Sequence, residues 1–546
     1  MKKWVTGALL LGIGAILGGC YGARAQEETK KETEQKIQIS LPAPLSTLDT
    51  TQMTDKNTFT IAQNIFEGLY RLDETAIPKP GLAKDVDISE DGKTYTFHLR
   101  DGLIWSDGTP ITSQDFLYAW TRLVDPKTQG PNAYLLDNVV NSYDIRTGKQ
   151  AVKTIGLSAP DDQTFIVQLA QAQPSFLSVV SIAWLAPQKE SYVEEQGETY
   201  AQTSDKLLYS GPFMVKNWSQ TSDTWTLIPN PKYYDHTKVE LEEVDGSTIK
   251  EETTGINLYK DDQLDLVRIS GQNVQQYKQD PGFVSHNDIA NYFLDFNKKV
   301  GTPLANVHLR KAIAHAINKE DLAKNVLNDG SKPLNGLIPA NLYQNPTTKQ
   351  DFREYSGEYL TYDQAQANKE WELAQKEIGK TVDVSLLVSD DDNGKKISEY
   401  IQAQIQDTLP GVKVTITPQP KNNVNQARRD KNYELSLSGW IAGSSDLDSY
   451  FNLYQTDSAY NYGEYENGTY RALVQAAKTK DANDPDQQFS DYKQAETQLL
   501  EKDAAQVPLY QSASNYLIRD TIKGIQYPLY GTYFDLKTAK VTEGEK

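Results

Sequence analysis

The chain of 546 residues carries 55 Lys+Arg against 74 Asp+Glu, a formal charge of −19, with five His and a single Cys. At about 100–200 residues per domain this length allows roughly two to four domains with large cores, and 38% hydrophobic with 24% charged residues is soluble globular material. The acidic balance argues against nucleic acid as a partner, which needs a concentrated basic surface, and one cysteine excludes an intramolecular disulfide framework and multi-Cys zinc or iron–sulfur sites.

Met1-Lys2-Lys3 precedes an apolar run from Val5 to Leu17. A basic segment followed by about 7–15 apolar residues reads as a secretory signal, too short for a membrane span of about 20. Leu17-Gly18-Gly19-Cys20 resembles a bacterial lipobox, which makes residues 1–19 a signal peptide and Cys20 the lipidated residue. Residues 20–36 mix charges with almost no apolar side chain, cannot repay the entropy of ordering, and read as a solvated tether. The body is therefore expected outside the cytoplasm, anchored by lipid to the extracellular face of the cytoplasmic membrane.

From Ile37 onward, strand and helix signals alternate without a repeat, which favours an α/β architecture. Tyr95, Phe97 and Leu99 alternate with polar residues at the period of a half-buried strand, between the turn chemistry of Glu90-Asp91-Gly92 and of Ser106-Asp107-Gly108-Thr109. Thr112 and Asp115 form a capping-box pattern ahead of Phe116, Trp120, Leu123 and Val124, an amphipathic stripe that Asp125-Pro126 stops. Val307, Ala314 and Ile317 mark a second helical face, and Asn318 with Asp321 reads as a fresh N-cap. Leu435 and Leu437 alternate with Ser436 and Ser438 into Gly439-Trp440, a strand running into a loop.

Enzyme motifs do not hold. Gly92-Lys93-Thr94 lacks the first glycine of a phosphate-binding loop, because Asp87 stands there. Ser389-Asp390-Asp391-Asp392-Asn393-Gly394 resembles a calcium loop but begins with Ser and has Tyr400 where a bidentate Glu belongs; it reads as a solvated loop. His308 and His315 lack the spacing of a helical metal pair, His98 and His286 sit alone, and no G-x-S-x-G elbow occurs. No metal, no cofactor and no enzymatic activity are expected.

Several segments together resemble the oligopeptide-binding lipoproteins of peptide ABC transporters, the family 5 extracellular solute-binding proteins. They are the lipobox, Leu48-Asp49 leading to Ile65-Phe66-Glu67-Gly68-Leu69, the run Thr94–Arg100 followed by Trp105-Ser-Asp-Gly-Thr-Pro110, Ile228-Pro-Asn-Pro-Lys-Tyr-Tyr234, Leu309-Arg-Lys-Ala-Ile313, Gly439-Trp440 and Val507-Pro-Leu-Tyr510. They stand in family order and cover nearly the whole chain after the tether. The resemblance implies a two-lobed, type II binding-protein fold of the large peptide-binding form, with the ligand cleft between the lobes. Lobe I would be 37–66, 190–289 and 509–546, with an extra subdomain at 67–189; lobe II would be 290–508. Hinge closure on the ligand would create the form that a transporter permease recognises.

By the same resemblance a short peptide would lie as an added strand between Thr54-Asp55-Lys56 and Gly439-Trp440-Ile441-Ala442, held through its backbone. Many relatives place an Asp where this chain has Gly443, to pair with the peptide's ammonium, and an assisting Tyr where it has Asn132. The peptide N-terminus is then not held in the usual way; Asp446 or Asp448 substitutes, the terminus is blocked, or it sits in solvent. Such a site fits the peptide-pheromone-binding branch, which captures short apolar signalling peptides. The alternatives are the same receptor with a nickel chelate, haem or short sugar as cargo, a hydrolase built on a carboxylate pair, and a surface adhesion lipoprotein. A monomer is expected.

Overall fold

The computed structural model describes residues 33–543 apart from 74–76, 174, 300, 443–445, 457, 459, 529 and 530, and of Asn422 the backbone only. The expected signal peptide, Cys20 and Gly443 therefore lie outside the described residues. A strand at Lys36–Leu41 begins on the last residue of the expected tether.

The fold is α/β with two lobes. Its largest sheet runs from edge to edge through Val412–Gln419, Val382–Ser389, Leu435–Ile441, Phe283–Phe296, Gln506–Ile518, Leu266–Ile269, Lys36–Leu41, Glu243–Thr248, Thr224–Pro229 and Phe213–Lys216, with Lys332–Pro333 also paired to Gln506–Ile518. Val382–Ser389 (VDVSLLVS) is nearly continuous in apolar residues because it lies parallel to Val412–Gln419 and to Leu435–Ile441. The helix Asp392–Thr408 makes the crossover that parallel neighbours require.

Two strands are unusually long, Phe283–Phe296 with 14 residues and Gln506–Ile518 with 13, and they pair with each other antiparallel. One end of the pair carries Leu435–Ile441, against residues 290–296, and the other carries Leu266–Ile269, against residues 515–518. The ladder is interrupted between Asn287 and Asn291, where the register shifts. A bulge bends a strand and breaks its hydrogen bonds locally, and this one falls where the strands pass from one half of the sheet to the other.

A second sheet, in the order Ala83–Ile88, Thr94–Leu99, Thr164–Gln168, Leu157–Asp161, packs on the helix Ser113–Val124. Tyr95, Phe97, Leu99, Phe116, Trp120, Leu123, Val124 and Phe165 close a core of their own there. The helix begins as its sequence reads, with the Asp115 carboxylate accepting from the Thr112 N–H at 2.8 Å, and ends at Val124 before Asp125-Pro126.

Elsewhere the structure corrects the reading. On the helix Val307–Ala316, Ala314 and the following Ile317 are buried as read, but Val307 is only half-buried, and Leu309, Ile313 and Ala316 complete the buried face. Ser436 and Ser438 are buried together with Leu435 and Leu437, because this part of the strand is covered on both faces of the sheet. The loop at Ser389–Gly394 is a helix cap: Asp391 accepts from the Gly394 N–H at 2.8 Å and starts the helix Asp392–Thr408.

Candidate functional site

Asp55 ends an irregular segment and N-caps the helix Lys56–Ile65, its carboxylate accepting from the Thr58 N–H at 2.9 Å and from the Ser46 hydroxyl at 2.7 Å. This fixes Thr54-Asp55-Lys56, an extended cap residue running into the first helical turn, on one wall of a cleft. On the other wall, Leu435–Ile441 is fixed to the crossing strand by the Tyr450 hydroxyl, which donates to Ile289 O at 2.5 Å and to Trp440 O at 3.3 Å. Gly439 is required there: a Cβ would stand 2.9 Å from the Tyr292 ring.

Between these walls lies a cavity of about 240 Å³ lined by Thr54, Asp55, Lys56, Ile441 and Ala442, together with Phe59, Trp184 and Tyr134. Tyr134 also lines a larger cavity of about 1050 Å³. The residues Leu123–Val179 form one side of that space, and Tyr343, Trp440 and residues 446–492 form the other. Trp440, Leu453 and Tyr460 are shared with a third pocket of about 220 Å³, which Gly439 also lines. The three spaces make one groove, larger than a site for a single amino acid.

The sequence-read residues thus separate into groups. Thr54, Asp55, Lys56, Ile441 and Ala442 meet across the narrow cavity, Gly439 and Trp440 line the adjoining ones, and Asp446 and Asp448 line the large one. Asn132 stands behind the first wall, buried, with its amide donating to Met53 O at 2.7 Å, the residue before Thr54.

The electrostatics of the large cavity are acidic. Asp446 accepts from the Ser175 hydroxyl on the facing side and from the Asp448 N–H at 2.9 Å. Burial, and after it the Asp448 charge, push its carboxyl up to about 6. Asp448 accepts from the Tyr492 hydroxyl and pairs with Lys478 at 3.0 Å. One lysine thus serves two acids.

Sequence reasoning missed the groove's aromatic lining and its partners, among them Tyr134, Tyr143, Tyr460, Ser175, Gln455 and Lys478. Four of the seven most exposed large apolar side chains among the described residues, Tyr134, Tyr143, Ile441 and Tyr460, line these cavities. The Trp440 indole N–H and the Gln455 amide nitrogen are buried there without a partner. No sequence pattern marks a tyrosine as exposed into a groove.

A two-lobed α/β protein with a long groove between opposed walls and crossing strands behind it is built as a solute-binding protein. The chain belongs to the bacterial extracellular solute-binding proteins, family 5, whose middle-region model matches residues 78–462. It is 33% identical over 528 residues, covering 94% of this chain and 95% of the other, to a dipeptide-binding protein of Lactococcus lactis subsp. cremoris. Among solved structures it resembles OppA of Listeria monocytogenes bound to peptide, with a TM-score of 0.79 at 34% identity over 94% of this chain and 100% of that one. It also resembles the pheromone receptor PrgZ, again with a TM-score of 0.79, at 35% identity over 93% of this chain and 100% of that one.

Proposed function

We propose that this protein captures short peptides between its lobes and delivers them to an ABC importer, and that it is held to the extracellular face of the membrane by a lipid on Cys20. The observation that carries the peptide reading is the pair of segments, Thr54–Lys56 and Ile441–Ala442, that line the narrow cavity from opposite walls. A peptide strand added between them would be recognised by main-chain bonds that ignore side-chain identity. The two unpartnered donors, Trp440 Nε1 and Gln455 Nε2, offer bonds to peptide carbonyls in the adjoining space.

The lobes are 37–66, 190–289 and 509–546 on one side, with 67–189 as the added subdomain, and 290–508 on the other. The register shift between Asn287 and Asn291 supports a hinge at the first of those boundaries. Closure about it brings Ser175 to Asp446, and a ligand touching both lobes favours that state. With Gly443 unable to supply a carboxylate, the peptide ammonium is received by Asp446, the acid that Lys478 leaves without a direct ion pair.

The exposed tyrosines and Ile441 favour apolar peptides, which fits a pheromone-type ligand, and ring faces left open to water gain most when such a ligand covers them. Native mass spectrometry of the protein purified without added ligand tests the reading. Adducts of roughly 500–1,500 Da, a few residues up to about a dozen, that fragment as peptides are expected for a groove at or above the usual ~300–1,000 Å³ range of small-molecule sites. A single adduct of non-peptide mass would overturn it.

A further inference from the structure

We propose that the narrow cavity is a pocket for one aromatic side chain of the captured peptide, so that a receptor that ignores side chains elsewhere selects a ring at a single position. The inference rests on the peptide reading above and adds a sequence preference to it.

The cavity has a rim and a floor. Thr54 and Ile441 are exposed, Ile441 to 49%, whereas Phe59, Gln63, Ser181 and Ile182, which line the same space, are buried. Its volume of about 240 Å³ lies below the ~300–1,000 Å³ of a site for a whole small ligand, so it suits a part of one. Successive side chains of a strand point to opposite faces. A peptide held between Thr54–Lys56 and Ile441–Ala442 therefore sends one residue toward the floor while the residues on either side of it point away. The pocket is complete only when both lobes contribute. Its floor comes from the helix Lys56–Ile65 and from Ile182 and Trp184 of the added subdomain, and its other wall from Ile441 and Ala442, at the end of the strand Leu435–Ile441. A side chain seated there touches both sides and favours the closed state.

The chemistry of the floor decides what that residue is. Phe59 and Trp184 pack ring on ring, with centroids 4.3 Å apart, and Leu72, Ile182 and Tyr134 complete the apolar surround. The polar side chains there are engaged. Gln63 donates to Ser181 O at 3.4 Å and accepts from the Ala183 N–H at 3.1 Å, the Ser181 hydroxyl donates to Leu177 O at 2.7 Å, and Asp535 is paired with Arg71. The Trp184 indole N–H has no acceptor among the described residues, but a donor offers nothing to a cation. An ammonium or guanidinium entering this space would lose its water without gaining a partner. A ring gains edge or face contact with two others, which is worth more than the area it covers. Main-chain pairing at the rim and an aromatic floor below it therefore read the same peptide in two ways, the first blind to sequence and the second not.

The test is a positional scan by calorimetry. Heptapeptides made only of Leu, Val and Ile, free at both ends, form the background pool, and further pools carry Phe at one position each. For the wild-type protein, Phe should raise affinity ~3–10-fold over the background at one position and not at the positions beside it. Lys at that position should bind at least ~10-fold more weakly than the background. The gain from Phe should vanish in Trp184→Leu, which removes a ring of the floor, and in Leu72→Phe, which fills the space; melting curves show that each variant is folded before it is scored. No gain at any position, equal gains at adjacent positions, Lys bound as well as Phe, or a gain that survives in a folded variant overturns the proposal and leaves the peptide reading standing. A failure of every pool to bind overturns the peptide reading and this pocket with it.

Discussion

Replacing Asp446 by Asn should make the empty protein more stable and the receptor weaker. The Asp446 carboxyl moves from the ordinary 3.8 to about 6, first through burial and then through the Asp448 charge. At ~1.4 kcal/mol per tenfold, its preference for the protonated form amounts to ~3 kcal/mol. Part of the side chain faces the cavity, so solvent screening leaves ~1–2 kcal/mol. The sign follows from proton uptake. Between about pH 4 and pH 6 the folded protein holds a proton that the unfolded chain has released, so this group's contribution falls as pH rises through that window and stays low above it. Asn removes the charge; its Oδ1 can still accept from the Asp448 N–H, and its amide nitrogen, in place of the oxygen that took the Ser175 hydroxyl, can donate to that hydroxyl's oxygen instead. Thermal unfolding of the ligand-free protein at pH 7.5 should therefore show a higher Tm for Asp446→Asn than for wild type, with the gap closing near pH 4. Calorimetry at pH 7.5 should show peptides with a free N-terminus binding ~10–100-fold more weakly to the variant, the loss expected for a charged hydrogen bond. In the wild-type protein the same affinity should fall about tenfold per pH unit below about 6, as the carboxylate is protonated. A variant that is no more stable at pH 7.5, or that keeps full affinity there, refutes the reasoning.

Gly439→Ala should weaken peptide binding at least tenfold with a small loss of Tm, because a Cβ at 2.9 Å from the Tyr292 ring must push that ring or the strand, which calorimetry and melting together would register. Asn132→Ala frees the buried Met53 carbonyl now bonded at 2.7 Å and should cost ~1–3 kcal/mol in denaturant unfolding, while lowering hydrogen-exchange protection around Thr54–Lys56. Arg71→Met leaves Glu67 buried without its cation at 2.6 Å and breaks the link to Asp535, so a loss of ~3–5 kcal/mol is expected; an unchanged unfolding midpoint would contradict it.

Local patterns were enough wherever one neighbour decides the outcome. The alternation of Tyr95, Phe97 and Leu99, the cap of Thr112 and Asp115 and the stop at Asp125-Pro126 all depend on residues within a few positions of one another, and the fold carries them as read. Ser436 and Ser438 defeated the same logic because their burial depends on strands that are 50 and 150 residues away in sequence in the direction of Val382–Ser389 and Phe283–Phe296, which no period can register. Ser389–Gly394, read as a solvated loop, is a helix cap, because a run of acids suits either and only the helix that follows selects the cap.

The sequence by itself determined the class of this protein: an α/β chain without enzyme motifs, whose segments stand in the order of the solute-binding family. Order along a chain survives when each piece is only a strand, turn or cap. The tertiary structure alone decided the site. It put Thr54–Lys56 opposite Ile441–Ala442, gathered Tyr134, Tyr143 and Tyr460 into one groove and set Ser175 against Asp446. Exposure, burial and the charge around an ionisable group are sums over everything packed nearby, and most of those neighbours come from the far side of a long chain.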